Sequence, residues 1–404
     1  MGTIHEPLSG AQNTASADVR RLTDSLEKVR CWVEAADYKG YEPFDGLSSP
    51  FRRLTFENLF ALRVFQQLVR QSPLNLRPLF QIKPLDSTKG RGMMAWGYIL
   101  LFKSTRDPEY KEKAIACLDW LDKHKSPKFE KHSWANYFDF ASRGGMYYKH
   151  DSIIVWTSMI GQAYLEAFEQ FQDERFLRIA QSACDWVLSL PREKTTTGNC
   201  ISYYVHAQES IHNSNMLGAA LLARAAKHTG NTEYQDVARS AMVYSCSRQR
   251  LDGSWWYGEE PKFQWIDNFH TGYNLDCLKC YIDWSEDSEF AGVLRRGFHF
   301  FKHTFFEPSG RPKYYHNRPY PVDIQCASQA IDTLAFFAQA DAESLALGVK
   351  VANWTILNMQ NPAGYFYYRK YPLGITARTP MLHWGQATMF KGLAHLVVQL
   401  KNNV

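Results

Sequence analysis

The residues best able to do chemistry are four carboxylates and a set of amides and imidazoles that recur at a near-constant interval. Asp151 in "YYKHDS", Glu209 in "AQESIHN", Asp267 in "WIDNFH" and Asp323 in "YPVDIQ" each stand just ahead of an apolar helical segment. Two carboxylates across a cleft can serve as general acid and general base in cleaving a glycosidic bond, their separation setting the stereochemical outcome. Asp is also a favoured N-cap, and Asp151 and Asp323 stand where a cap would, so the structural reading holds beside the catalytic one. Slightly further along, Trp156, Asn213, His270, Gln325 and His383 share one register position, separated by 57, 57, 55 and 58 residues. Four of the five are polar, in the first turn of otherwise apolar helices, at the end where backbone N–H groups are free. His270 with a tyrosine could carry a proton; the bland alternative is that these side chains only cap helices or tie loops.

The loops that deliver these groups are aromatic, with Tyr147, Tyr203, Trp255, Trp256 and Tyr367 at corresponding points and Trp384 beside His383. Flat aromatic faces stack on sugar rings and also line cavities for carbocations or apolar polycycles. Arg369 and other cations interleave with them and suit carboxylates or sulfates on a ligand. Some of these rings would instead be hydrophobic filling of the ring mouth.

Positioning such a set requires a repeated scaffold, and the chain has one. "DPEYKEKA" from Asp107, "DERFLRIA" from Asp173, "NTEYQDVA" from Asn231, "DSEFAGVL" from Asp287 and "DAESLALG" from Asp341 begin 66, 58, 56 and 54 residues apart. Each places Asp or Asn at a helix start with Glu following, which satisfies free N–H groups and suits the helix dipole. Between them lie more apolar helices rich in small residues, such as "VWTSMIGQAYLEAF" and "HNSNMLGAALLARA". Low polarity all round marks a helix buried on most faces. The capped helices are therefore outer and the apolar ones inner, six of each, with either 19–33 or 57–69 pairing the last inner helix. A closed ring of such hairpins has no exposed end faces, and the fold class is all-α, an (α/α)6 toroid. Residues 1–16 are expected to form a disordered tail and 17–404 a single toroid domain.

Composition narrows the partners. Aromatic residues make up 15% of the chain, and the net charge of +5 is spread without blocks, so nucleic acid is excluded as a partner. No run of apolar residues is long enough to span a membrane. Eight cysteines sit mostly inside amphipathic patterns, which favours a reducing, cytoplasmic compartment. "CLKC" at 277–280 lacks the second ligand pair of a zinc site, and "TKGRG" at 88–92 lacks the spacing of a phosphate-binding loop, so no metal and no cofactor is proposed. The oligomeric state is left open.

The repeat over roughly 55–400 resembles the six-hairpin glycosidase superfamily and its toroid relatives, and is similar to bacterial exopolysaccharide-cluster proteins of that class. The resemblance implies a glycan cleft at one end of the ring, with Asp or His at inner-helix ends as acid and base. "DNFHTGYNL" is similar to a pattern of glucuronyl C5-epimerases, which implies proton abstraction and return at a uronate. "QRLDGSW" is similar to the repeat of triterpene cyclases, but the chain has no DxDD or DDxxD acid motif; there Gln249 ties the loop back, Gly253 turns and Trp255 packs. The expectation is thus a carbohydrate-active enzyme for an acidic saccharide, foremost a glycoside hydrolase, with Asp151, Asp267, His270 and Asp323 catalytic. Asn213, Gln325, His383, Trp384, Tyr147, Tyr203, Trp255, Trp256, Tyr367 and Arg369 would bind substrate. A uronate epimerase or polysaccharide lyase, a terpenoid cyclase-like toroid and a non-catalytic glycan-binding protein are the alternatives.

Overall fold

The structure, a computed structural model, describes residues 10–206 and 208–402, with 10–16 as helical backbone only. Among them the helices are α1 (Gly10–Ala35), α2 (Leu59–Gln71), α3 (Thr88–Thr105), α4 (Pro108–Lys123), α5 (Ile154–Phe171), α6 (Glu174–Leu188) and α7 (His212–Thr229). They continue as α8 (Thr232–Cys246), α9 (Asn268–Ser285), α10 (Ala291–Thr304), α11 (Ile324–Phe336), α12 (Ala342–Met359) and α13 (Thr388–Asn402). The tail expected over 1–16 lies outside the described residues as far as residue 9, and α1 already begins at Gly10.

The outer helices start as their sequences require. Asp107, Asp173, Asn231, Asp287 and Asp341 accept backbone N–H bonds from Glu109, Arg175, Tyr234, Glu289 and Glu343 at 2.9 to 3.2 Å. The inner helices α3, α5, α7, α9, α11 and α13 pack each against the next, and α13 packs back on α3, which closes the ring. Small residues permit that closure: a Cβ on Gly97 would lie 2.5 Å from the Phe390 ring, and one on Gly392 would lie 2.8 Å from the Ser328 carbonyl oxygen. Of the two candidate partners for α13, the N-terminal helix α1 takes the outer place, against α12 and α13.

The helix-to-turn unit behaves as read. Gln249 Nε2 donates to the Gly253 carbonyl at 3.0 Å, Gly253 takes a φ of 90°, and Trp255 is buried beyond it. Gln360, Gly364 and Phe366 repeat the arrangement, with a 2.9 Å bond and a φ of 106°. Positive φ at those two positions is what selects glycine.

Helix α2 and the segment around it form a strap across the loop end of the ring, the end at which the inner helices begin. Gln66 exchanges two hydrogen bonds with the Ala141 backbone at 2.8 and 2.9 Å. Arg70 Nε donates to Tyr368 Oη at 3.2 Å, and the Leu382 N–H donates to the Tyr41 carbonyl at 2.8 Å. A buried Arg77–Asp45 pair at 2.9 Å holds the strap's own turn. No described helix is long and apolar enough to cross a membrane.

Candidate active site

The first turns of the inner helices place six side chains at one level around the axis: Lys89, Trp156, Asn213, His270, Gln325 and His383. Tyr273, one turn deeper on α9, ties two of them: its Oη accepts from Gln325 Nε2 at 2.9 Å and from Lys89 Nζ at 3.3 Å. Trp156 Nε1, Asn213 Oδ1 and Gln325 Oε1 are buried there without a hydrogen-bond partner among the described residues. Such groups are uncommon in a settled core, and a hydroxyl-rich molecule or water is the kind of partner that would satisfy them. Burial pulls Lys89 down to about 8, with the Glu42 charge opposing the shift.

Two histidine–carboxylate pairs divide this level into an open and a closed half. In the open half, Asp267 caps α9 by accepting the His270 N–H at 3.0 Å, and its Oδ2 lies 2.7 Å from His270 Nδ1 and accepts the Trp265 indole N–H at 2.8 Å. A carboxylate at Nδ1 fixes the proton there and leaves Nε2 as the basic nitrogen. No described residue bonds Nε2, and the His270 side chain keeps 20% of its surface exposed. Tyr257 covers the imidazole, its ring 4.5 Å away and stacked on Trp265 at 4.3 Å.

Facing this pair, the Tyr147 hydroxyl donates to Glu209 Oε2 at 3.0 Å. Burial raises Glu209 above the usual carboxylate range, offset in part by the Tyr147 bond. The carboxyl is held against backbone, since a Cβ on Gly144 would fall 2.0 Å from Oε1. Burial also raises the hydroxyls of Tyr203 and Tyr257. Two arginines stand at this rim. Arg143 lies 5.1 Å over the Trp265 ring and Arg318 lies 4.2 Å over Tyr315, whose backbone bridges Asp267. Neither pairs with an acidic side chain among the described residues.

The closed half lies under the strap. Asp323 caps α11 by accepting the Gln325 N–H at 2.9 Å, accepts the Trp384 indole N–H at 2.8 Å and forms a fully buried ion pair with Arg369. Arg369 also donates to Gln71 Oε1 of the strap at 2.9 Å. His383 sits in a π-helical turn, Leu382–Ala387, that leads into α13; its Nδ1 lies 2.5 Å from Glu42 Oε2, although neither atom has an aligned hydrogen-bond partner. Burial lowers His383, with Glu42 opposing.

The expected residues therefore separate. His270 and Asp267 come together, with Tyr147 and Tyr203 nearby; Asn213, Gln325 and His383 lie at the same level; Asp323, Arg369 and Trp384 form a buried cluster of their own. Asp151 stands apart. It follows His150, whose φ of 69° turns the chain, and it pairs at 2.5 Å with Lys128 from the loop after α4, while Ile153 takes the N-cap place. Trp255 packs below Gly297 and donates its indole N–H to the Ser245 carbonyl at 2.9 Å, between α8 and α10 rather than on the axis. Trp256 lies under Arg250 at 4.3 Å, and the Tyr367 hydroxyl accepts from Asn361 Nδ2 of its own loop at 3.0 Å. The aromatic of that cluster that reaches the imidazole is Tyr257.

Sequence reasoning missed Lys89, Glu42 and Arg143. Lys89 had a signal: it lies 67 residues before Trp156, matching the 66 between the first two outer caps. Glu42 and Arg143 had none, because both reach the site through the path of irregular chain.

No protein-family model and no curated protein matches the chain. Solved structures do. A cellobiose 2-epimerase from Bacillus thermoamylovorans superposes with a TM-score of 0.61 at 8% identity, over 80% of this chain and 90% of that one. A GH76 α-mannanase of Bacteroides thetaiotaomicron gives 0.60 at 12% identity, over 78% and 86%. A polysaccharide lyase gives 0.62 at 12% identity and covers 97% of this chain and 99% of its own. At such identities the likeness is one of fold, and the fold is the (α/α)6 toroid.

Proposed function

We propose that the chain is a carbohydrate-active enzyme that moves a proton at a carbon of an acidic sugar, epimerising it or eliminating from it. The observation that carries this reading is the His270–Asp267 pair, with Nε2 unpaired at the open half of the mouth. His270 is the base. Glu209 with Tyr147, and Tyr257 above the imidazole, are the groups that return a proton or steady the developing negative charge. Arg143 and Arg318 suit the substrate carboxylate, and neutralising a carboxylate makes the carbon-bound proton next to it easier to remove. Hydrolysis by paired carboxylates is less well supported. Asp151 and Asp323 are each held by a cation, and Asp267 is spent on the imidazole. The toroids of similar fold are named for epimerase, lyase and mannanase activities, which supports a carbohydrate substrate and leaves the bond open.

The test is incubation of the protein in deuterated water with a panel of uronate-containing oligosaccharides, read by proton NMR and ultraviolet absorbance. Epimerisation leaves deuterium on a sugar carbon, and elimination yields an unsaturated, absorbing uronate. New reducing ends with neither signature would assign hydrolysis instead and overturn the proposal.

A further inference from the structure

The opposite end of the ring holds a second feature that proton transfer at the mouth does not use. Between the C-terminal halves of the inner helices lies a blind cavity of about 360 Å³, within the usual range of small-molecule sites. Its floor is the buried layer that includes Met93, Leu217, Tyr273 and Thr388, one turn below the six-residue level. It opens beside Lys103 and Trp284, at the end away from the strap.

An axial space among apolar helices should be walled by apolar side chains, and this one is not. Arg224 is 5% exposed and donates to Gln162 at 2.9 Å, to Glu166 at 2.6 Å and to Glu169 at 2.6 and 2.8 Å. Asp332, 7% exposed, is held by Lys391 and by His395 Nδ1 at 2.9 Å. Asp276 Oδ2 accepts from Gln329 Nε2 at 2.7 Å and Thr333 Oγ1 at 3.1 Å, while Oδ1 is buried without a partner among the described residues. Trp96 lies 4.1 Å from Lys391 Nζ and Trp284 lies 5.1 Å from the Arg224 guanidinium, so both indoles border the same space. Well-packed apolar residues usually serve stability as well as or better than buried ion pairs, so a lining of this kind is better explained by a ligand than by folding.

The charges identify the ligand class. Arg224, Lys391, Lys103 and Lys279 are each matched by acids, leaving no unbalanced cation in the lining for an anion. Burial and the neighbouring Asp332 charge raise Asp276 well above the carboxylate range, which favours its protonated, donating form. Asp332 stays low: burial opposes this, but Lys391 and His395 hold it ionised. Planar carboxyl, amide and guanidinium groups alternate donors and acceptors as vicinal hydroxyls do, and indole faces suit the C–H face of a pyranose.

We propose that this cavity is a second binding site, separate from the loop-end one, for a neutral mono- or disaccharide, which stacks on Trp284 and hydrogen-bonds to Asp276, Gln329 and Arg224. The inference stands independently of the reaction assigned to the mouth. The experiment is saturation-transfer NMR on the full chain with D-glucose, D-mannose and cellobiose as neutral probes and D-glucuronate as the anionic comparator. At least one neutral probe should bind, bind equally in His270→Ala, and bind about tenfold or more weakly in Trp284→Ala and in Gln329→Met, a factor of ten being about 1.4 kcal/mol. Trp284 lies at the rim, so its variant keeps the core intact if Gln329→Met does not fold. The proposal is overturned if no neutral probe binds, if D-glucuronate is preferred, if both variants bind like wild type, or if His270→Ala removes the signal.

Discussion

His270 and His383 occupy the same register position on two inner helices, and each faces a carboxylate through Nδ1, yet they do different work. Asp267 belongs to the helix of its histidine, three residues before it, so capping α9 and orienting the imidazole are one local act. Glu42 comes from the strap, 341 residues away in sequence, and also accepts the His383 N–H at 3.1 Å. The first pair keeps an exposed edge and a free Nε2; the second is enclosed by Trp156 and Trp384, each with ring centroids 6.0 Å from the imidazole. One sequence device, repeated around a ring, thus leaves an imidazole nitrogen without a partner among the described residues where the mouth is open, and encloses the imidazole where the strap covers it.

The comparison breaks most visibly in turnover. His270→Gln should lower the rate by about 10²- to 10⁴-fold, the usual worth of a positioned general base, with the melting temperature nearly unchanged. Asp267→Asn keeps a good N-cap, so α9 should hold while the rate falls through the altered imidazole tautomer. His383→Gln should leave the deuterium-exchange signature in place. The closed half answers in stability instead. Arg369→Met strands Asp323 and loses the Gln71 bond, and denaturant titration should show a loss of roughly 3–5 kcal/mol, the range for breaking a buried pair.

Lys89 shows a cost between the two halves. Its folded value of about 8 lies below the unfolded value of about 10.4, so the unfolded chain binds more protons between them. Stability should therefore rise as pH increases from about 8 towards 10.4, and fall back as pH drops through that window. At neutral pH the buried ammonium costs roughly 3 kcal/mol, from about 1.4 kcal/mol per pKa unit. Lys89→Met should return part of that cost and abolish the alkaline rise, checked by urea titrations at pH 7 and 9.5.

These halves differ in how far a sequence exposes them. The toroid was legible because its hairpins repeat, because Asp and Asn mark the outer starts, and because apolar helices with small residues must lie inside. Five of the six axial residues follow from counting; Lys89 does not, because it sits just after the Ser87 cap, ahead of the apolar run that marks α3. The strap was legible only as a helix over 57–69, not as a cover for the mouth. Outside that helix, residues 36–87 carry little periodicity, and the placement of the whole segment depends on bonds such as Glu42 to His383 and Arg369 to Gln71 that no local pattern encodes. Side-chain direction within a turn was equally hidden, which is why Trp255 turned to the α8–α10 interface while Tyr257, two residues on, turned to the imidazole.

The smallest expected effect tests whether His383 is held neutral. Burial lowers its folded value below the usual 6.5, so between the two values the unfolded chain takes up the extra proton. The stabilising contribution is present above about pH 6.5 and is lost as pH falls through the folded value, at no more than about 1.4 kcal/mol per pH unit. Urea titrations of wild type and His383→Gln from pH 7.5 to 5.5 should show the wild type losing more stability over this window. A wild type that instead gains stability relative to His383→Gln as pH falls would mean that Glu42 keeps the imidazole protonated, and the closed half would then be a charged pair; parallel curves would mean that folding leaves the imidazole's affinity for its proton unchanged.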